Sequence, residues 1–258
     1  MPTLNPESIL AVSQTDPSLA DKASALAAQL GLPLYKSGEN APALLLTLTP
    51  SQLELRQTGK GAEGPLFVDF IGGAIEYRRR QTTSRKEAVA RAVGLKGGTR
   101  PVVLDLTAGL GRDSFTLASL GCMVQMVERS PVVAALLADA IKRARQKPAL
   151  AEIMARLHLL VGDSLQILRT WQGERPEAIY IDPMYPHRSK SALVKKGMRL
   201  IRLLVGDDQD SDALLSAALA IASRRVVVKR PRLAPALTGP APNFTLSGKN
   251  SRFDVYLI

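Results

Sequence analysis

The sequence predicts an α/β fold in which the larger, C-terminal part forms a doubly wound, mostly parallel sheet. Three observations predict it. From residue 101 onward, short apolar runs of strand length alternate with helical patterns. A loop containing Gly109 and Gly111 joins the first such run to the first helical pattern. The chain has 258 residues, 46% of them hydrophobic, so it can bury a substantial core.

The first hundred residues predict a smaller α+β domain over residues 1–96. Apolar runs predict strands at 8–12, 43–47 and 66–70. An alanine-rich pattern predicts a helix over 19–30 that Gly31 ends, and a second helical pattern covers 84–93. Residues 94–100 contain three glycines and no apolar periodicity, which indicates a linker into a second domain over 97–258.

In the second domain, strands are predicted at 102–106, 123–127, 157–161, 178–181 and 225–229, with helices at 112–120, 131–145 and 210–222. These strands lack polar alternation, which is typical of parallel strands buried on both faces. Residues 243–247 and 253–258 are predicted to form an antiparallel terminal hairpin at the sheet edge. Ligands of such sheets bind at the carboxyl ends of the strands.

Composition excludes several classes of protein. The single cysteine, Cys122, cannot form an internal disulfide, and two histidines are too few to complete a zinc site with it. We expect no metal. No apolar stretch approaches the roughly 18 residues of a membrane helix, and no export signal is expected at the N-terminus. These features favour a cytoplasmic protein without a membrane. With 34 basic and 23 acidic residues, the net charge of +11 favours a polyanionic partner such as RNA or DNA.

The loop after the first predicted strand of the second domain is the first candidate binding feature. Glycines there let the backbone approach a nucleotide closely. Ser114 stands where a dehydrogenase would need its third glycine, and the Walker lysine is missing. A purely structural strand-to-helix turn is the alternative. The candidate cofactor-binding residues of this loop are Asp105, Gly109, Gly111, Arg112 and Asp113.

The next two strands also end in polar residues. Glu128 and Arg129 follow the second strand, where doubly wound nucleotide sites keep the carboxylate that binds ribose hydroxyls. An exposed turn is the alternative for Glu128. Asp163 and Ser164 follow the third strand, where a carboxylate could accept the amine of an adenine. The same two residues would also serve as a helix N-cap, and both interpretations can hold.

The most specific motif follows the fourth strand, where Asp182, Pro183 and Tyr185 form an Asp-Pro-x-Tyr sequence. This pattern is typical of methyltransferases that act on an exocyclic amine. The Asp182 carboxylate and the Pro183 carbonyl can each accept an N–H, which directs the nitrogen lone pair, while the Tyr185 ring stacks on the base. These three residues are the candidate catalytic groups. An Asp-Pro turn with a rim tyrosine is the alternative.

Basic residues cluster on either side of these motifs and at the end of the fifth strand. Basic groups around an amine-binding pocket suit a nucleic acid, because phosphate contacts position the substrate. Solvated surface is the alternative. The candidate RNA contacts are Arg78, Arg79, Arg80, Arg188, Lys190, Lys195, Lys196, Lys229 and Arg230.

Taken together, these segments resemble the RsmJ family of 16S ribosomal RNA guanine-N2 methyltransferases. The resemblance covers most of the chain and rests on FVDFIGGA from Phe67, AVARAVG from Ala88, DLTAGLGRD from Asp105, ERSPVVAALL from Glu128, DPMYPH from Asp182, KSALVKK from Lys190 and VVVKRP from Val226. It implies the class I methyltransferase fold, with S-adenosylmethionine as donor and S-adenosylhomocysteine as product. It also implies 16S ribosomal RNA or the small ribosomal subunit as partner.

By position, the resemblance places the family's cofactor contacts on Arg112, Asp113, Glu128, Arg129, Asp163, Ser164 and Asp182. Three alternatives remain open at this level. A DNA adenine or cytosine amino-methyltransferase shares the Asp-Pro-x-Tyr chemistry. A nicotinamide dehydrogenase shares the glycine loop and Glu128. A non-catalytic RNA-binding module would account for the charge alone.

Overall fold

The computed structural model describes residues 10–38, 40–62, 64–72, 88–184, 196–206, 210–248 and 251–258, with the side chains of 196–198 left aside. The N-terminal part contains a three-stranded sheet. Strand β1 (Leu10–Gln14) pairs in parallel with β2 (Leu44–Leu48), and β2 pairs antiparallel with β3 (Leu53–Gln57). Helix α1 (Ala20–Leu30) connects β1 to β2 after a 3-10 turn (Pro17–Leu19) and ends at Gly31, which adopts φ 64°.

The second part contains a seven-stranded sheet with spatial order β6-β5-β4-β7-β8-β10-β9. Its strands are β4 (Val103–Asp105), β5 (Val124–Glu128), β6 (Leu157–Val161), β7 (Ala178–Ile181), β8 (Arg225–Pro231), β9 (Phe244–Ser247) and β10 (Ser251–Leu257). Strands β4 to β8 are parallel, whereas β10 is antiparallel to both β8 and β9. The predicted parallel sheet and its terminal edge hairpin are confirmed.

Helices cover both faces of this sheet. They are α2 (Ala88–Ala92), α3 (Arg112–Ser119), α4 (Pro131–Arg145), α5 (Ala151–Ala155), α6 (Ser164–Arg169), α7 (Lys196–Val205) and α8 (Ser211–Ile221), with a 3-10 turn at Pro148–Leu150. One core cluster joins the sheet to α3, α4 and α5, and a second joins the opposite face to α6 and α8. Strands buried on both faces explain the continuous apolar runs of the sequence.

The N-terminal sheet packs against the face that carries α3 and α4. The rings of Phe70 and Phe115 stack with their centroids 4.9 Å apart. Asp139 on α4 accepts a hydrogen bond from the backbone N–H of Leu53, and Arg143 donates to the carbonyl of Val68. One continuous apolar cluster therefore extends from Leu10 to the C-terminal strands.

In the N-terminal part, one predicted strand is wrong and one strand was missed. The run at 66–70 forms no strand, since only Leu66 makes a bridge, to Leu55. Strand β3 was not predicted, although leucines alternate with polar residues along it. Of the helix expected over 84–93, the structure describes Ala88–Ala92, and residues 84–87 lie outside the described part.

Candidate active site

A cavity of about 440 Å³ opens at the carboxyl ends of β4, β5, β7 and β8. It lies where the strand order reverses, because the chain proceeds from β4 to one side and returns to the other. Apolar side chains of Leu106, Val127 and Leu214 line part of it. Nine of the ten predicted cofactor residues also line it: Asp105, Gly109, Arg112, Asp113, Glu128, Arg129, Asp163, Ser164 and Asp182.

Asp105 ends β4 and is almost fully buried. Its carboxylate accepts hydrogen bonds from the backbone N–H of Thr107 and from the hydroxyl of Ser114. Burial raises the pKa of Asp105 to about 7, although these two hydrogen bonds oppose the shift. Ser114, the residue that breaks the dehydrogenase glycine pattern, therefore supports this carboxyl from helix α3.

The two loop glycines have different surroundings. Gly109 has φ 52°, and a Cβ there would meet nothing closer than the Thr107 carbonyl at 3.9 Å, so the space beside it belongs to the cavity. Gly111 has φ 67° and does not line the cavity. A Cβ on Gly111 would come within 2.8 Å of Leu137 and 3.1 Å of Phe70. Its position suits close packing of the turn, and not contact with a ligand.

Glu128 ends β5 and is only 7% exposed, which rules out the exposed turn. One carboxylate oxygen accepts the backbone N–H of Gly109 at 2.9 Å, and the other accepts that of Ser130 at 2.8 Å. Glu128 thus connects the glycine loop to the start of α4, and it also faces the cavity. The contact of Glu128 with a ribose hydroxyl stays a prediction, which its place on the cavity wall supports.

Asp163 and Ser164 begin α6. Asp163 is the N-cap of this helix, because its carboxylate accepts the backbone N–H of Gln166 at 2.9 Å. The hydroxyl of Ser164 donates to the carbonyl of Leu106 at 2.6 Å. The capping interpretation of Asp163 is confirmed. Because both residues also line the cavity, the adenine contact stays a prediction.

Asp182 and Pro183 follow β7 on the cavity wall. The backbone N–H of Asp182 donates to the hydroxyl of Thr107 at 2.6 Å, which ties this loop to the one after β4. The hydroxyl of Thr107 therefore fixes the backbone at the start of the Asp-Pro motif. Tyr185 lies outside the described residues, and its stacking role stays a prediction.

Lys229 was predicted as an RNA contact, which stays a prediction, and the structure adds two carboxylate partners. The ammonium lies 2.8 Å from Asp113 Oδ2 and 2.8 Å from Asp182 Oδ2, on the cavity wall. The hydroxyl of Tyr180 also donates to Asp113, at 2.6 Å. The RNA contact of Lys229 was predicted from its charge alone. Its position at the end of a parallel strand was the signal that could have placed it in the site.

Arg230, also predicted as an RNA contact, is corrected, because it is only 3% exposed and its guanidinium donates twice to the carbonyl of Pro235. A buried guanidinium cannot reach a phosphate. Arg129 pairs with Asp210 at 3.5 Å, and Asp210 was not predicted as a site residue. The other predicted RNA contacts lie outside the described residues, or, for Lys196, on a side chain outside them: Arg78, Arg79, Arg80, Arg188, Lys190, Lys195 and Lys196.

Comparison with known proteins identifies the family. A family model described as "Putative SAM-dependent methyltransferase" matches residues 25–258. The ribosomal RNA small subunit methyltransferase J of Pseudomonas aeruginosa strain LESB58 is 52% identical over 92% of this chain and 90% of its own length. That of Dechloromonas aromatica is 51% identical over 93% of this chain and 96% of its own. This chain belongs to the ribosomal RNA small subunit methyltransferase J family.

A solved member of the wider class agrees with this assignment. The S-adenosylmethionine-dependent methyltransferase of Neisseria gonorrhoeae is 37% identical, with a TM-score of 0.74, and the match covers 96% of this chain and 95% of that one. The predicted fold class, donor and enzyme class are therefore confirmed. The dehydrogenase and the non-catalytic RNA-binding module are wrong, since neither belongs to a methyltransferase J family.

The groups around the cavity fit the S-adenosylmethionine on which methyltransferases of this family depend. Glu128 would hold the ribose, and the apolar wall of Leu106, Val127 and Leu214 would hold the adenine. The cofactor carries a sulfonium and an ammonium, and three carboxyl groups that could attract these cations, Asp105, Asp113 and Asp182, also line the cavity.

Proposed function

We propose that the protein transfers a methyl group from S-adenosylmethionine to the exocyclic N2 amine of a guanine in 16S ribosomal RNA. The observation that carries the proposal is the position of Asp182 and Pro183 on the wall of the cofactor cavity. Relatives that are half identical to this chain are named ribosomal RNA small subunit methyltransferases, which supports the substrate class. The guanine N2 target follows from the family that the sequence motifs resemble.

The chemistry requires little more than positioning. When bound, the cofactor supplies an electrophilic methyl group on a cationic sulfur. An aryl amine is a weak nucleophile, because its lone pair is delocalised into the ring. The Asp182 carboxylate and the Pro183 carbonyl would each accept one N–H, which favours tetrahedral geometry and directs the lone pair. Thr107 holds the backbone of Asp182 at 2.6 Å, so the acceptor is fixed before the base arrives.

The basic character of the chain supports an RNA substrate and an unstacked base. A net charge of +11 attracts a polyanion, and a base inside a duplex cannot present its amine to a cavity wall. We therefore expect the target guanine in a loop or single-stranded segment. The buried Cys122, the sole cysteine, accords with a cytoplasmic site of action. No helix among the described residues is long and apolar enough to cross a bilayer.

The decisive experiment measures methyl transfer to 16S ribosomal RNA from cells that lack this protein. Radiolabelled methyl should enter one guanine, in naked RNA or in the small subunit, and mass spectrometry should find N2-methylguanosine. DNA presented in the same assay tests the alternative amino-methyltransferase. Labelling of DNA adenine or cytosine with none in RNA would overturn the proposal.

Asp182→Ala tests the catalytic geometry. We expect kcat to fall by about a hundredfold or more, because the variant loses a preorganised acceptor that acts mainly in the transition state. Cofactor affinity, measured by calorimetry, should weaken less than kcat. Lys142→Met, on the exposed face of α4, is the matched control and should behave as wild type. A near-normal kcat for Asp182→Ala would contradict the assignment.

A further inference from the structure

Lys229 lies at a junction of three elements that the active site brings together. Its ammonium comes from β8, Asp113 from the first turn of α3, and Asp182 from the loop after β7. The nitrogen is 2.8 Å from one oxygen of each carboxylate. About a quarter of the lysine side chain and a third of each carboxylate side chain are exposed, so the contacts are only partly screened by water.

The charge state of this lysine is well defined. Burial alone would lower the pKa of Lys229, but the charges of Asp182 and Asp113 and the hydrogen bonds to them raise it above its ordinary value. The ammonium is therefore protonated at every pH at which the enzyme would be assayed. Its nitrogen lies between the carboxylates of Asp113 and Asp182 and reduces the repulsion between their negative charges.

We propose that Lys229 is a positioning residue for methyl transfer, which keeps Asp182 ionised and holds its carboxylate in the orientation that accepts the target amine. This inference rests on the proposed function, since it concerns the same amine acceptor. Asp182 has its backbone fixed by Thr107 and one side-chain oxygen fixed by Lys229. With both ends of the residue held, the remaining torsions of the carboxylate are restricted before substrate binds.

Loss of the ammonium should change the charge state of the acceptor. Asp113 and Asp182 would become two adjacent carboxylates without the cation between them, and one would bind a proton at a higher pH than before. Asp105 on β4 and Tyr180 on β7 also interact electrostatically with this pair, and Arg112 lines the cavity beside it. None of the three bridges the two carboxylates as Lys229 does.

The test is the pH dependence of kcat for Lys229→Met, Lys229→Arg and the double variant Lys229→Met/Asp113→Asn. In Lys229→Met, the rise of kcat on the acid side of the profile should shift to higher pH by about 1–3 pH units. The variant should therefore be less active than wild type at neutral pH and recover activity at alkaline pH. Lys229→Arg keeps the positive charge and should keep this rise near its wild-type position. The double variant removes the competing carboxylate, which should move the rise back to lower pH.

Two further measurements separate this role from general damage. Thermal unfolding and cofactor affinity of each variant, measured without RNA, should show that Lys229→Met folds and binds. Lys142→Met is the control for loss of a lysine charge. A loss of kcat that is equal at every pH, or an unchanged profile, would overturn the role of Lys229 while wild-type RNA methylation stands. Absence of methylation by the wild type would instead overturn the proposed function.

Discussion

At the scale of single residues, Asp105 shows how burial changes a side chain that looks ordinary in sequence. Its pKa rises from 3.8 to about 7, chiefly by desolvation. A carboxyl whose pKa is higher in the folded than in the unfolded protein contributes most to stability at low pH, and loses that contribution as pH rises from about 4 through 7. In the absence of a cationic ligand, Asp105 is therefore partly protonated at neutral pH.

This leads to a prediction about cofactor binding. A cationic group of S-adenosylmethionine near Asp105 favours the ionised carboxyl, so binding at pH 7 should release about half a proton, and almost none at pH 9. Calorimetry in buffers with different ionisation enthalpies measures this number directly. Asp105→Asn removes the titrating group and should abolish the release. Equal release from wild type and Asp105→Asn would show that another group titrates.

The same scale shows what sequence can assign. Asp105, Glu128 and Asp182 were predicted because each follows an apolar run, and the carboxyl ends of parallel strands meet at one edge. Arg230 was misassigned, and the two carboxylate partners of Lys229 were missed, because a cluster of positive charges does not reveal where each side chain points. Successive strand residues point to opposite faces, so Lys229 reaches the cavity and Arg230 the interior.

At the scale of elements, the turn from β4 into α3 depends on a glycine that does not line the cavity. Gly111 adopts φ 67° as the N-cap of α3, and it is packed against Leu137 and Phe70. A side chain there would face both backbone strain and a steric clash. The glycine therefore sets how closely α3 approaches α4 beneath the cofactor loop.

Three glycine-to-alanine variants separate these two effects. Gly111→Ala should lower the free energy of unfolding by about 2–4 kcal/mol, because strain and overpacking add. Gly97 has φ 64° but open space around it, so Gly97→Ala should show the strain alone, about 1 kcal/mol. Gly98 has neither a positive φ nor a close neighbour, so Gly98→Ala should leave the free energy of unfolding almost unchanged. Urea titration measures all three; equal effects at Gly111 and Gly97 would contradict a packing role.

The bounds of strands and helices were predicted best where the local sequence pattern is strong. The bounds of β6, β7 and α4 agree with the sequence prediction, since buried parallel strands and a capped amphipathic helix carry strong local signals. Strand β3 carries Glu54 and Arg56, which form an ion pair, so it has no continuous apolar run. The run at 66–70 is more apolar, yet Phe70 packs on Phe115 and not in a sheet. In β3 and in the run at 66–70, tertiary packing determined whether a strand formed, and local sequence preference did not.

At the scale of the whole molecule, the two predicted domains share apolar packing. The boundary after residue 96 stays a prediction, but the core cluster extends across it, from Leu10 and Leu55 to Phe115 and Leu137. Phe70 is fully buried at this junction and contacts both the Phe115 ring and the position of Gly111. Packing of this kind couples the N-terminal sheet to the cofactor loop.

We therefore predict that the full chain unfolds in one cooperative transition. Far-ultraviolet circular dichroism reports all elements, whereas the fluorescence of Trp171, the sole tryptophan, reports the sheet face that carries α6 and α8. The two probes should give coincident urea curves. Phe70→Ala should lower the free energy of unfolding by about 3–5 kcal/mol and shift both curves together. The control Phe67→Ala, at a 38% exposed site, should change the free energy of unfolding by about 0.5 kcal/mol. A dichroism change that precedes the fluorescence change would mean that the N-terminal sheet unfolds on its own.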